Sequence, residues 1–227
     1  MSAAQSPLVE RLAQLKIVPV IVIDDPAAAS SLASALVDGG LPCAEVTFRT
    51  DAAGEALRRM SDSAPDLLLG AGTVLSVAQV REARTAGATF IVAPGFNPAV
   101  VDYCLEHGIP VFPGVCTPTD IEAALAKSLT TVKFFPAEPI GGIKYLKAIA
   151  APYTMMRFIP TGGINADNLR GYLAFDRVVA CGGSWMAPAE WIAAKAFDRI
   201  REETARAVRA ARGEAVPAQT PAGAARS

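Results

Sequence analysis

The sequence predicts an α/β protein of the (β/α)8 TIM barrel class, on three observations. Eight short β-branched or apolar runs recur along the chain, with starts roughly 20 to 25 residues apart. Alanine-rich segments of helical periodicity separate them. Eight such units in about 200 residues fit a closed ring of parallel strands with helices outside. An open doubly wound sheet is the competing arrangement. It would carry a glycine-rich nucleotide turn after its first strand, whereas DDPAAAS (24–30) has no glycine.

The expected strands are VPVIVI (18–23), CAEVTF (43–48), DLLLGAGTV (66–74), TFIVAPG (89–95), PVFPGV (110–115), TVKFFP (131–136), MRFIPTGG (156–163) and RVVACGGS (177–184). The expected helices cover 26–38, 51–63, 76–86, 98–107, 118–127, 142–150, 165–174 and 188–211. Ser76, Thr117 and Asn165 stand where N-caps belong, because their side-chain oxygens can accept the first free N–H groups of a helix. Gly39, Gly87 and Gly108 stand where helices end. A short helix over 6–15 precedes the first strand and is placed to close the barrel bottom. Residues 1–212 form one domain, and the last 15, GEAVPAQTPAGAARS (213–227), read as a flexible tail.

Composition narrows the function. Of 227 residues, 52% are hydrophobic, enough for a sizeable core. A net charge of −1 gives no electrostatic case for nucleic acid or an anionic membrane. No apolar stretch approaches a membrane span, and the N-terminus lacks the pattern of a signal peptide, so a cytoplasmic protein is expected. Cys43, Cys104, Cys116 and Cys181 form no CxxC pair and sit among apolar or small residues. They read as free thiols used as small hydrophobes. The single histidine, His107, falls at an expected helix end. One histidine excludes a multi-histidine zinc site, and it excludes Ser-His-Asp chemistry unless His107 itself serves.

Two strands carry charge where a barrel strand is apolar. Side chains alternate in direction along a strand. In the second run, Ala44, Val46 and Phe48 share one face, and Glu45, Thr47 and Arg49 share the other. In the sixth, Val132 and Phe134 oppose Thr131, Lys133 and Phe135. A carboxylate, a guanidinium and an ammonium thus point to one interior. A structural ion pair between Glu45 and Lys133 is one reading, but such a pair contributes little beyond apolar residues of similar size. Chemistry is the other. Desolvation favours a neutral amine, which attacks ketones to form a Schiff base. The iminium withdraws electrons from the adjacent carbon–carbon bond, and each proton transfer around it needs a nearby carboxylate. Glu45 is that carboxylate, and Arg49 is suited to a two-pronged contact with a substrate carboxylate. Four residues of extended strand span roughly 13 Å, so Arg49 must fold back to reach the same small molecule as Glu45.

Thr161-Gly162-Gly163 and Gly182-Gly183-Ser184 close the seventh and eighth runs. Exposed backbone N–H groups there suit a phosphate, which barrels commonly hold after those two strands; tight turns also need glycine for their own sake. GAGT (70–73) is a similar turn whose Thr73 offers a hydroxyl.

EVTFRT (45–50), GAGTVL (70–75), KFFPAE (133–138), PTGGI (160–164) and GGSW (182–185) resemble, in order and spacing over about residues 10–200, the 2-keto-3-deoxy-6-phosphogluconate (KDPG)/4-hydroxy-2-oxoglutarate aldolases. That resemblance implies a metal-free class I aldolase with no cofactor, usually a homotrimer, splitting a phosphorylated 2-keto acid into pyruvate and glyceraldehyde 3-phosphate. It implies Lys133 as Schiff-base lysine and Glu45 as proton-transfer base. It places Arg49, Thr73, Pro94, Phe135 and Thr161 around pyruvate, and Gly162, Gly163, Gly183 and Ser184 around phosphate. The related phosphogalactonate aldolases share the lysine but typically lack the arginine of FRT, so Arg49 favours the phosphogluconate branch. A non-catalytic phosphosugar-binding barrel and an isomerase using paired carboxylates are the other candidates. The first has no need of Lys133 with Glu45. The second lacks a further inward acid in the assigned strands.

Overall fold

The computed structural model describes residues 6–215. Nine strands pair in parallel: β1 (Ile17–Ile21), β2 (Cys43–Thr47), β3 (Leu68–Gly72), β4 (Phe90–Val92), β5 (Val111–Phe112), β6 (Gly114–Val115), β7 (Thr131–Phe134), β8 (Arg157–Pro160) and β9 (Cys181–Gly183). One sheet has the order β5-β4-β3-β2-β1-β9, and a second has the order β6-β7-β8. Two single parallel bridges, Phe158 with Val178 and Thr161 with Gly182, link β8 to the segment of β9. The result is an α/β fold whose parallel sheets curl around a common interior.

The fifth expected strand divides at Pro113 into β5 and β6. Proline has no N–H for the ladder and interrupts it. Its carbonyl still accepts the Lys133 N–H at 3.0 Å.

The helices are α1 (Ser6–Leu15), α2 (Ala29–Asp38), α3 (Ala53–Ser63), α4 (Val77–Thr85), α5 (Pro98–Glu106), α6 (Pro118–Ala126), α7 (Gly142–Ala150), α8 (Leu169–Leu173), α9 (Ala189–Ala193) and α10 (Phe197–Arg212). Ser76 caps α4 through the Gln79 N–H, and Thr117 with Asp120 forms a capping box on α6. Asn165 is not a helix cap: α8 begins four residues later, and the Asn165 side chain instead turns the chain by accepting the N–H of Asp167. The left-handed residue after α2 is Gly40 rather than Gly39. The long last helix breaks in two at Lys195, whose φ is 55°. Within the expected tail, Gly213 and Glu214 donate back to Ala210 and Arg209 and close α10. From residue 216 on the tail lies outside the described residues.

Strand alternation sorts the core into two. Val46, Leu69, Ile91, Val111, Val132, Phe134 and Phe158 pack outward against helices, with Leu32, Leu36 and Leu57. Val18, Cys43, Leu68, Phe90, Phe112 and Ile159 point inward. Val9 and Leu12 of α1 join this inner set and are wholly buried. Cys43 and Leu68 are the first residues of their strands, so α1 fills the interior at the strands' N-terminal ends. Burying one such leucine is worth about 1.5–3 kcal/mol. The short helix expected over 6–15 is thus the floor beneath the polar groups above.

Candidate active site

Glu45 sits on β2 beside Val20 and Gly70, and Lys133 on β7 beside Gly114 and Ile159. The two strands belong to different sheets, yet Lys133 Nζ lies 3.1 Å from Glu45 Oε1. The two side chains are only 6% and 4% exposed. Among the described residues, they are the only charged ones that are buried. Leu12, Val18, Phe90, Val92, Phe112 and Ile159 surround the pair from below. The ammonium lies 5.4 Å from the centre of the Phe135 ring, within cation–π range. An ion pair in so apolar a setting loses much hydration, and its attraction barely offsets that cost.

Glycine makes the room. A β-carbon on Gly72 would fall 2.2 Å from Glu45 Oε1, so the carboxylate occupies the space a side chain would fill. Gly114 likewise lies against the carbonyl of Pro94, and the Pro94 ring is half-buried at the rim. Of the other polar groups expected inward, Thr47 donates to the Ile21 carbonyl at 2.8 Å. Thr131 is buried at the start of β7, away from the strand's C-terminal end.

Arg49 resolves its own spacing problem. β2 stops at Thr47 and residues 48–52 turn, so the arginine is not carried 13 Å further along the strand. Arg49 Nε donates to Thr73 Oγ1 at 3.2 Å. Thr73 directly follows Gly72, the residue whose missing side chain leaves room for the Glu45 carboxylate. Thr73 has φ 55°, a strained value for a β-branched residue and one that concentrates at functional sites.

Thr161 is buried and bridges to Gly182, which brings the two glycine turns side by side. A β-carbon on Gly182 would meet Thr161 Oγ1 at 2.4 Å. Gly162 and Gly163 have φ of 104° and 80°, open to glycine and few others. Gly183 packs under the Trp185 ring, and the Ser184 side chain is exposed at the rim. Every expected site residue therefore lies on β2, β3, β4, β7, β8 or β9 or in the loop after it. GAGT is not a turn: Gly70, Ala71 and Gly72 are the last residues of β3, and only Thr73 lies beyond it. Neither Gly72 nor Asn168, which donates to the Gly163 carbonyl, is singled out from sequence. Gly72 carried a signal in its motif; the amide of Asn168 carried none.

The remaining chemistry-bearing residues stand apart. His107 caps the end of α5, its ring nitrogen against the Tyr103 carbonyl. Burial pushes the Cys104 thiol up to about 12, and burial followed by the charge of Glu45 pushes Cys43 higher still, so neither is a ready nucleophile. No group of three or more His, Cys, Asp or Glu poised for a metal occurs among the described residues. No helix of the described residues is long and apolar enough to cross a membrane.

Residues 8–203 match the family model of the aldolases described as KDPG and KHG aldolase. The chain belongs to the KDPG and KHG aldolase family. Relatives of this aldolase include a 2-dehydro-3-deoxy-phosphogluconate aldolase of Treponema pallidum, 51% identical over 84% of the chain and 91% of the relative. That of Haemophilus influenzae is 45% identical over 88% and 94%. Among solved structures, the KDPG aldolase of Legionella pneumophila superposes with a TM-score of 0.83, at 38% identity over 86% of this aldolase and 94% of that chain. In that structure pyruvate is captured as a covalent carbinolamine intermediate.

Proposed function

We propose that this aldolase is a class I enzyme that cleaves 2-dehydro-3-deoxy-6-phosphogluconate to pyruvate and D-glyceraldehyde 3-phosphate. One observation carries the reading: the buried 3.1 Å contact of Lys133 Nζ with Glu45 Oε1 in an otherwise apolar interior. The names of the relatives and the pyruvate adduct in the Legionella structure support it.

Lys133 Nζ passes a proton to Glu45 and, as the neutral amine, attacks the C2 ketone to give a carbinolamine; Glu45 returns that proton to the hydroxyl, which leaves as water, and the iminium forms. Glu45 accepts the proton of the C4 hydroxyl. The C3–C4 bond breaks, its electron pair moves to the iminium as an enamine, and the aldehyde leaves. Glu45 then returns a proton to C3, and water releases pyruvate from the lysine. Arg49 and Thr73 hold the substrate carboxylate. Pro94, Phe135 and Thr161 line the pyruvate pocket. The turns of Gly162, Gly163, Gly183 and Ser184 hold the phosphate.

The two bridges joining β8 to β9, together with a fifth strand interrupted only by Pro113, support a closed eight-stranded barrel. A homotrimer in the cytoplasm is the expected working state, and sedimentation tests the trimer.

Release of pyruvate from the phosphogluconate-derived substrate, its C4 epimer and 4-hydroxy-2-oxoglutarate, measured side by side, tests substrate choice. The first is expected to be cleaved with the highest kcat/KM. Preference for the epimer would move the enzyme to the phosphogalactonate branch. Absence of cleavage of all three would leave a binding barrel.

A further inference from the structure

The turn Thr161-Gly162-Gly163 is held from behind by every one of its carbonyls. Thr161 O accepts the Ala137 N–H at 2.9 Å, and Gly162 O accepts the Glu138 N–H at 3.0 Å. Both donors belong to the loop that follows the lysine strand. Gly163 O accepts Asn168 Nδ2 at 3.0 Å. A trans peptide is planar, so its C=O and the next N–H point in opposite directions. Each N–H therefore points away from the partner of the carbonyl before it: that of Gly162 toward Gly182, to which Thr161 is bridged, and those of Gly163 and Ile164 away from Glu138 and Asn168. Among the described residues, the N–H groups of Gly163 and Ile164 donate no hydrogen bond. Two successive unpartnered N–H groups form a concave site for an anion.

Two of the three peptides are fixed by backbone. The third is fixed by a side chain. The Asn168 amide uses both ends: Nδ2 on the Gly163 carbonyl, and Oδ1 accepting the Asn165 N–H at 2.9 Å. It makes no cap hydrogen bond to α8, although Asn168 stands at that helix's N-cap position. The side chain is thus committed to the turn rather than to the helix.

We infer that Asn168 is a positioning residue for phosphate specificity, which aims the Ile164 N–H at the substrate phosphate by holding the Gly163 carbonyl away from it. This rests on the reading of the glycine turns as the phosphate site. A charge-assisted N–H contact is worth roughly 10- to 150-fold in affinity, and a misaimed one forfeits most of that.

The test compares kcat/KM for the phosphorylated substrate and for unphosphorylated 4-hydroxy-2-oxoglutarate in wild type, Asn168→Ala and Asn168→Asp. Aspartate keeps the acceptor for Asn165 and a good cap residue, but loses the donor to Gly163. It therefore tests the aim of the turn even where the alanine variant folds poorly. In both variants the ratio of the two kcat/KM values is expected to fall about tenfold or more, mainly through KM for the phosphorylated substrate. An unchanged ratio in Asn168→Asp, or equal losses on both substrates, overturns the inference. A wild type that shows no preference for the phosphorylated substrate, and no competition by inorganic phosphate, overturns the phosphate site itself and this inference with it.

Discussion

Gly72 and Glu45 share one space: a β-carbon at position 72 would lie 2.2 Å from Oε1 and 2.6 Å from Cγ of Glu45. The carboxylate reaches Lys133 because the neighbouring strand carries no side chain at that point. Gly72→Ala is therefore expected to push Glu45 off the lysine while leaving most of the core untouched. A displacement of about 1 Å at a reacting group can cost 10²-fold. Turnover should fall by roughly that factor, with thermal stability lowered far less than the loss of activity would imply. Steady-state cleavage beside thermal melts checks this. Near-wild-type turnover would show that the placement of Glu45 is not critical.

Glu45→Gln keeps an acceptor near Lys133 but cannot carry a proton. Glu45 is the only buried carboxylate among the described residues, so no second one is at hand to replace it. Turnover is expected to drop roughly 10²- to 10⁴-fold, the usual range for general acid–base catalysis. Exchange of the pyruvate methyl protons in D₂O, followed by NMR, should slow in step. Exchange at the wild-type rate would assign the proton transfer to another group.

Asp120 is expected to set part of the acid stability. Burial alone would raise its carboxyl, but the N–H groups of Cys116 and Thr117, each at 2.9 Å, and the Thr117 hydroxyl hold it below the ordinary aspartate value. A group depressed on folding stabilises above its unfolded pKa, about 3.9, and loses that contribution as pH falls through the folded value. At pH 7, Asp120→Asn should cost about 0.5–2 kcal/mol, the usual worth of a cap. The gap between the two proteins should narrow as pH falls below about 4. Thermal melts across pH 3 to 7 test the sign. A gap that widens on acidification would contradict it.

The period-2 alternation of two short strands made Glu45 and Lys133 legible in the sequence as inward-facing charges, because direction along a strand depends on little besides position. The N-cap at Thr117 was legible from its own position before a helical run, though the box it forms with Asp120 was not. What escaped depended on the path of the chain. The break at Pro113 and the late start of α8 arise where local signals compete with pairing to neighbouring strands. The return of Arg49 to Thr73 needed the turn after Thr47, which an extended reading of EVTFRT hides. The work of Asn168 was invisible, because the partners of a side-chain amide are set by a turn whose shape the glycines leave open.

The central claim is that Lys133 Nζ forms the covalent bond to substrate. Incubation with pyruvate and borohydride, followed by intact mass and peptide mapping, tests it most directly. Reduction of the iminium should fix one pyruvate-derived group per chain, on the peptide containing Lys133, and Lys133→Met should remain unlabelled. Labelling at another lysine, or cleavage activity in Lys133→Met, would contradict it.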